Sequence, residues 1–431
     1  MLGTGDPSEN MDHKPKPIRE ISLKYEKLST LINRVDLVHL WQAHDEQSQR
    51  KSPGVDKVTK VLYAEHLMSN LENLVDRMKR FEYIPQPVKR VYIPKSNGKL
   101  RPLGLPSYED RLVQKVMADI LIELYEPRFL DCSYGFRPGR SAHDVIRYID
   151  STVMHKGVNY VLEADIKGFF DNLDQDWMMK FLQHDISDKN FLRYIKRFLK
   201  AGILEEGLIL ESDRGAPQGG LISPILSNVY LHYVLDLWVE KVVKKKAKGR
   251  VYYCRFADDF LLMTQRKDDA ENIMEWLKER FRQFGLELAE DKTRILPFGR
   301  FSKTKEKFDF LGFTFVNGET RKGSYRVAII SSKKKLKAKR LAVKEWLKKR
   351  INQPMVETLK LINLKLQGHY NYYGINGNTK AIVGFMWYVH RTTLWMLRRR
   401  GQKRPITKQR FAELWNRFIK PPRITKSIWQ Y

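Results

Sequence analysis

Val251-Tyr252-Tyr253-Cys254-Arg255-Phe256-Ala257-Asp258-Asp259-Phe260-Leu261-Leu262-Met263 sets two adjacent carboxylates between two apolar, strand-forming runs. The pattern reads as a hairpin with Ala257-Asp258 at its tip. Burying either acid in its ionised form costs several kcal/mol unless a cation compensates. A divalent metal is the natural compensation, because hard cations prefer carboxylate oxygens. The competing interpretation is an exposed turn, where Asp is common because its side chain bonds the nearby backbone.

A second apolar strand upstream also carries acid: Val161-Leu162-Glu163-Ala164-Asp165-Ile166. Period-2 alternation puts Val161, Glu163 and Asp165 on one face and Leu162, Ala164 and Ile166 on the other. Strand pairing that brings Asp165 beside Asp258 and Asp259 would complete a site for two Mg²⁺ ions, with Mn²⁺ as an alternative. In such a site one ion lowers the pKa of an attacking 3′-hydroxyl, and the other holds a triphosphate and its leaving oxygen. Glu163 is either an auxiliary acid or a partly solvated neighbour.

Between the acids lies Arg214-Gly215-Ala216-Pro217-Gln218-Gly219-Gly220-Leu221-Ile222-Ser223-Pro224. The paired glycines permit close backbone approach to a ligand, although an ordinary loop ending in a Ser-Pro helix start has the same composition. Further upstream, Val88–Pro94 alternates like a strand, Asn97-Gly98 signals a turn, and Leu100–Leu103 returns. Lys95 and Arg101 flank that turn, placed to hold a triphosphate as point charge and bidentate fork; isolated basic residues are more often solvated surface.

The rest of the chain narrows the class. Its 431 residues exceed a single typical core, and 42% hydrophobic residues suffice to build two or three. The balance of 79 Lys+Arg against 50 Asp+Glu points to a polyanionic partner. Residues 331–431 alone hold 25 basic and 3 acidic residues, so most of the excess sits there. Lys333, Lys334, Lys335, Lys337, Lys339 and Arg340 form its densest cluster and are the RNA-binding candidates; a solvated face kept for solubility is the alternative. Met1-Leu2-Gly3-Thr4 is neither a signal peptide nor a myristoylation site, and no apolar run spans a bilayer. Cys132 and Cys254 form no C-x-x-C pair, which excludes a cysteine-rich zinc module. The expectation is a soluble cytoplasmic protein that works on nucleic acid, with no membrane partner.

Apolar periodicity predicts helices from about 21 to 44 and over 108–126. Short strands then alternate with helices: Tyr160–Ile166, Arg250–Ala257, Phe260–Met263 and Phe308–Phe315. That is the pattern of an α+β unit. Three helical segments follow at 333–352, 355–373 and 378–400, the last with Ile382, Phe385, Met386 and Val389 at core spacing. Residues 1–20 read as a disordered tail, 21–330 as the catalytic domain, 331–400 as a helical domain and 401–431 as a short basic tail.

In this order and spacing the motifs resemble the group II intron reverse transcriptase/maturase family over about residues 20–430. Phe256-Ala257-Asp258-Asp259 is similar to its Tyr-Ala-Asp-Asp box, and Ala164–Asp171 to its first catalytic strand. Gly215–Gly220 is similar to its Pro-Gln-Gly box. Ile93-Pro94-Lys95 with Arg101–Gly104, and Ser133–Pro138, resemble its fingers blocks. Leu364–Gly374 resembles its maturase thumb signature, and Gly54-Val55-Asp56 its N-terminal extension.

The resemblance implies a right-hand fold of fingers, palm and thumb, and RNA-directed DNA synthesis joined to splicing assistance. RNA template, intron RNA, DNA primer or target, and dNTPs would be the partners. It assigns Asp165, Asp258 and Asp259 to catalysis and metal binding, with the Ile166 carbonyl as a further ligand. Lys95 and Arg101 would hold the triphosphate, Gln218 would lie under the nucleotide, and Phe169 would be the steric gate against a ribose 2′-hydroxyl. Lys292 matches a later palm lysine, and Leu311-Gly312-Phe313 a turn that supports the primer end.

Phe256 departs from the family's usual Tyr, which removes a hydroxyl and leaves both acids. Residues 402–431 are too few for a DNA-binding and endonuclease module, so mobility without bottom-strand cleavage is expected. Two other readings remain: a related polymerase serving defence, repair or a CRISPR system, and a splicing-only RNA binder with an idle palm. Intact Asp165, Asp258 and Asp259 argue against the last, because binding alone requires none of them.

Overall fold

The computed structural model describes residues 18–20, 27–94, 100–205, 208–210, 215, 219–302, 304–320, 322–400 and 406–429. Lys95, the Asn97-Gly98 turn, Gln218 and residues 1–17 of the expected tail lie outside them. The chain divides into two compact units. The first comprises Met1–Ser141, Ala164–Leu261 and Glu271–Arg294; the second comprises Ala142–Glu163, Leu262–Ala270 and Ile295–Tyr431.

The first unit begins with α1 (Leu37–Asp45), capped by the Asp36 carboxylate, which accepts from His39 N, and α2 (Leu67–Lys79). The expected hairpin is present: β1 (Val88–Pro94) pairs antiparallel with β2 (Leu100–Leu105), setting Ile93 opposite Arg101. Pro102 is tolerated because β2 is the edge of its sheet, ordered β2-β1-β4-β5. β4 (Ile203–Glu205) runs parallel to β1, and β5 (Leu208–Leu210) closes the other edge.

The central helix, α3 (Tyr108–Tyr125), follows Ser107, whose hydroxyl accepts from Asp110 N. Its start is fixed from outside by the Ser52–Asp56 turn, where Asp56 Oδ2 accepts from Tyr108 N at 2.6 Å and Arg111 Nη2 donates to the Ser52 carbonyl at 2.5 Å. Thirteen of its 18 residues are buried, so it is a core helix rather than an amphipathic surface one. Beyond α4 (Ala142–His155) in the second unit, α5 (Gln175–Asp185), α6 (Lys189–Leu199) and α7 (Ser223–Leu231) complete the packing of the first. α7 runs into two π-helical turns, His232–Asp236 and Val239–Val243; α8 spans Lys267–Gln283.

A four-stranded sheet ordered β6-β7-β3-β8 carries the acids, with β3 (Tyr160–Ala164), β6 (Val251–Phe256), β7 (Asp259–Thr264) and β8 (Arg294–Pro297). In the second unit, β9 (Lys307–Phe310), β10 (Phe313–Glu319) and β11 (Tyr325–Ser331) form an antiparallel sheet. The single strand expected over Phe308–Phe315 is two strands. Leu311 (φ 48°) and Gly312 (φ 81°) turn the chain between them, a break that alternation of apolar residues does not reveal.

Three helices follow as expected: α9 (Lys333–Lys348), α10 (Met355–Tyr373) and α11 (Thr379–Arg400). Ile382, Phe385 and Val389 are buried, and Met386 is half-buried. The segment read as a basic tail holds a fourth helix, α12 (Lys408–Phe418), which packs on α10 and α11. Phe411, Leu414 and Trp415 supply its apolar face, and the His390 ring sits 5.0 and 4.8 Å from the Phe411 and Trp415 rings. Three apolar side chains among many cations read as a tail until a partner surface is present.

Candidate active site

The acidic hairpin forms as the sequence dictates. β6 and β7 flank a two-residue turn in which Ala257 takes φ 57°, a left-handed conformation that costs a non-glycine residue about 1–3 kcal/mol. Asp258 is half-buried and Asp259 exposed. Gly135 backs the turn so closely that a Cβ on it would lie 2.4 Å from Ala257 N.

Asp165 follows directly after β3. Its carbonyl accepts from Ala289 N at 2.8 Å, and Lys167 N donates to the Glu287 carbonyl at 2.9 Å. With the Ile166–Leu288 bridge these contacts lace the segment to residues 287–289. The next turn, Glu290–Lys292, delivers the Lys292 ammonium to Asp165 Oδ2 as an ion pair. Burial pushes the Asp258 carboxyl above its ordinary value and the charge of Asp165 pushes it further, while Arg101 and Lys292 oppose the shift. Lys292 is held above its ordinary value by the Asp165 hydrogen bond. Asp165, Asp258, Arg101 and Lys292 therefore share one electrostatic neighbourhood.

Other expected residues fall differently. Phe169 is 2% exposed, its ring 6.2 Å from that of Tyr230, whereas Phe170 is half-exposed. Gly219 (φ 111°) makes a close approach, but the neighbour is protein: a Cβ there would meet the Gly104 carbonyl of β2 at 2.2 Å. Leu221 N then donates to Gln114 Oε1 at 2.8 Å, fixing the loop to α3.

Among the described residues no three His, Cys, Asp or Glu side chains stand together as a metal cage. Asp165 and Asp258 nonetheless fit a divalent ion. Their donors are hard oxygens, and burial together with the charge of Asp165, which raise Asp258, are what a nearby cation offsets. Asp259 sits one residue along at the exposed start of β7.

Behind the hairpin lies a cluster that the sequence reading missed. Arg255 is fully buried and all five of its N–H groups are used. Nε and Nη2 donate to Asp236 Oδ1 and Oδ2 at 2.8 and 2.6 Å. Nη1 donates to Asn228 Oδ1 at 3.0 Å and to the Ala257 carbonyl at 2.9 Å, and Nη2 to Ser133 Oγ at 2.8 Å. The available signal was an arginine inside an apolar strand, which demands a buried partner.

In the second unit the aromatics of Leu364–Gly374 are mainly core: His369, Tyr370 and Tyr373 are buried. Exposed rings occur instead on α11. Trp387 (52% exposed) and Trp395 (50%) line a groove of about 1090 Å³ together with Arg340, Lys344, Arg391 and Arg399. Arg340 lies 5.4 Å from the Tyr388 ring centre and Arg399 lies 4.6 Å from that of Trp395. Lys333, Lys334, Lys335 and Lys337 are exposed on α9. Lys339 is exposed as well, with its ammonium 4.5 Å over the Tyr373 ring and 3.4 Å from His369 Nδ1. No helix among the described residues is long and apolar enough to cross a membrane.

Residues 93–315 match the family described as reverse transcriptase (RNA-dependent DNA polymerase), and residues 334–415 match the group II intron, maturase-specific domain. The chain is 34% identical over 341 residues to protein YkfC of Escherichia coli K12, covering 71% of this chain and 87% of that protein. It is 28% identical to the group II intron-encoded protein LtrA of Lactococcus lactis over 411 residues, covering 75% of this chain and 66% of LtrA. A solved telomerase from Candida albicans superposes with a TM-score of 0.44 at 16% identity, covering 83% of this chain and 65% of that one.

Proposed function

Because the chain belongs to the family of group II intron reverse transcriptases and maturases, we propose that it extends DNA on RNA at the Asp165–Asp258 site and grips intron RNA through its helical second unit. The enzyme class, RNA-directed DNA polymerase, comes with the family. The site residues and RNA-contacting residues are our own assignment. Residues 21–330 serve as the polymerase domain and 331–400 as the thumb, to which α12 adds.

The observation that carries the reading is the sheet order, in which β3, leading into Asp165, lies beside β7, which Asp258 precedes, with the Lys292 ammonium paired to Asp165. Asp165, Asp258, Asp259 and the Ile166 carbonyl would hold two Mg²⁺, with Mn²⁺ as an alternative. When bound, these ions supply a lowered pKa at the primer 3′-hydroxyl and charge neutralisation at the triphosphate. Arg101, on β2, and Lys95 beyond β1 offer a fork and a point charge to the phosphates of an incoming dNTP. Lys292 holds the Asp165 carboxylate by its ion pair. We assign Gln218 to nucleotide binding, and Phe169, with Phe170 beside it, to the bound on the sugar.

RNA binding is proposed to use the Lys333–Lys337 face of α9 and the tryptophan-lined groove. Stacking on exposed rings and neutralisation of phosphates are the two terms that hold unpaired RNA. We place the protein in the cytoplasm, where its two free thiols stay reduced.

Primer extension on an RNA template tests the polymerase half. Asp258→Asn should lose cDNA synthesis while keeping intron RNA affinity. Extension by that variant at the wild-type rate would overturn the assignment. Splicing assistance by a wild-type protein that extends no primer would favour the splicing-only alternative.

A further inference from the structure

The Arg255 cluster is buried behind the hairpin, yet one of its five bonds ends on the residue that aims a catalytic acid. Ala257 precedes Asp258, and its positive φ is a strained state that persists only where the surroundings over-determine it. Two restraints do so. The Arg255 guanidinium binds the Ala257 carbonyl from inside, and the Gly135 backbone blocks retreat from behind.

Each restraint is itself anchored. Asn228, accepting from Arg255, donates through Nδ2 to the Gly135 carbonyl at 2.8 Å, so one side chain ties both together. Arg255 N donates to the Cys132 carbonyl at 2.8 Å and Tyr134 N to the Arg255 carbonyl at 2.9 Å, pinning the strand to the Ser133–Gly135 segment. Asp236, the anionic end, is completely buried at the close of a π-helical turn and also accepts from Tyr253 Oη at 2.7 Å. Such turns shift the residues that follow out of α-helical register, often where function needs a particular placement.

We propose that Arg255, with Asp236 and Asn228, is a positioning cluster that fixes the Ala257–Asp258 peptide and thereby the divalent-cation affinity of the site. The proposal rests on the assignment of Asp258 to cation binding. Partners that orient metal ligands without touching the metal typically change affinity or activity by about 10- to 100-fold when removed. Lysine should not substitute, because a single ammonium offers three donors and no planar fork.

The test uses the full chain carrying Arg255→Lys, and separately Ser133→Ala, which removes one acceptor from Nη2 and leaves the buried ion pair intact. Mn²⁺ binding without substrate is followed by electron paramagnetic resonance. Extension is measured against Mg²⁺ and dNTP concentration and normalised to active sites by burst amplitude. Arg255→Lys is expected to weaken Mn²⁺ binding and raise the Mg²⁺ requirement by about 10-fold or more, with dNTP KM and RNA affinity within twofold. A merely structural arginine would lower burst amplitude and thermal stability at unchanged cation affinity per active site, and that result overturns the proposal. Should Arg255→Lys not fold, Ser133→Ala decides: weakened Mn²⁺ binding supports the proposal and unchanged binding overturns it. Asp258→Asn is run alongside. If it binds Mn²⁺ and extends primers normally, the underlying site assignment fails; if it is inert while Arg255→Lys behaves as wild type, only the positioning role fails.

Discussion

Gly135→Ala should slow polymerisation about 100-fold without loosening the protein's hold on RNA. The added Cβ would lie 2.4 Å from Ala257 N, 3.0 Å from Phe256 C and 3.2 Å from Ala257 Cα. Ordinary contact begins near 3.4 Å, so the turn carrying Asp258 must withdraw by about 1 Å, a misplacement that typically costs reaction rate about 10²-fold. The same overpacking should destabilise the fold by about 1–3 kcal/mol. Single-turnover extension of a primed RNA template reads the rate, urea unfolding reads the stability, and filter binding reads RNA affinity. Gly368→Ala serves as control, because it sits within α10 and its new Cβ would meet nothing within 4 Å beyond its chain neighbours and its own helix backbone, and should stabilise its helix by about 0.5–1 kcal/mol. A folded Gly135→Ala enzyme with the wild-type single-turnover rate would refute the claim that backbone placement at Ala257 governs the chemistry.

Four further outcomes are expected. Trp387→Ala and Trp395→Ala should each weaken binding of unpaired RNA by about 1–3 kcal/mol if a base stacks on the ring. Neutralising Lys333, Lys334, Lys335 and Lys337 should instead flatten the log–log salt dependence by about 0.7–0.9 for each phosphate no longer neutralised, and identical slopes would place the clamp elsewhere. Burial lowers His369 to about 3 and His232 to about 4, from 6.5. Between those values and 6.5 the unfolded chain takes up protons the folded chain refuses, so stability is full above pH 6.5 and falls on acidification. Each histidine should remove about 2 kcal/mol by pH 5, and denaturant unfolding of His369→Gln should show a correspondingly weaker pH dependence; an unchanged dependence would sink it. Phe170→Ala should relax dNTP over rNTP selectivity if the half-exposed ring bounds the sugar, and Phe169→Ala should do so if the buried ring sets its position. Full selectivity in both variants removes the pair from the role.

What the sequence made legible was local. Apolar strand-forming runs on both sides of Ala257-Asp258 revealed the acidic hairpin, and apolar spacing in α9, α10 and α11 revealed the helical bundle, because each pattern lies within one element. Pairings between distant residues left no such trace. Lys292 reaches Asp165 across 127 positions and was found only through family resemblance. Arg255 meets Ser133 across 122, and nothing local distinguishes that serine from any other. The helical period marks which residues recur on a face but says nothing of which face is covered. Trp387 and Trp395 were accordingly not singled out, and α12 was read as tail.

Stability-guided redesign of this chain has a blind spot at the buried Arg255–Asp236 pair. Replacing such a pair with well-packed apolar side chains is often neutral or stabilising by about 1–4 kcal/mol. A search rewarded for melting temperature alone would tend to erase it, because the gain registers in every thermal scan and the loss in none. If the cluster fixes the cation site as proposed, variants chosen that way would survive heat and bind RNA, and would stall for want of a divalent ion. Libraries for a hardier enzyme should therefore hold Ser133, Asn228, Asp236 and Arg255 constant, or score cation demand alongside heat tolerance.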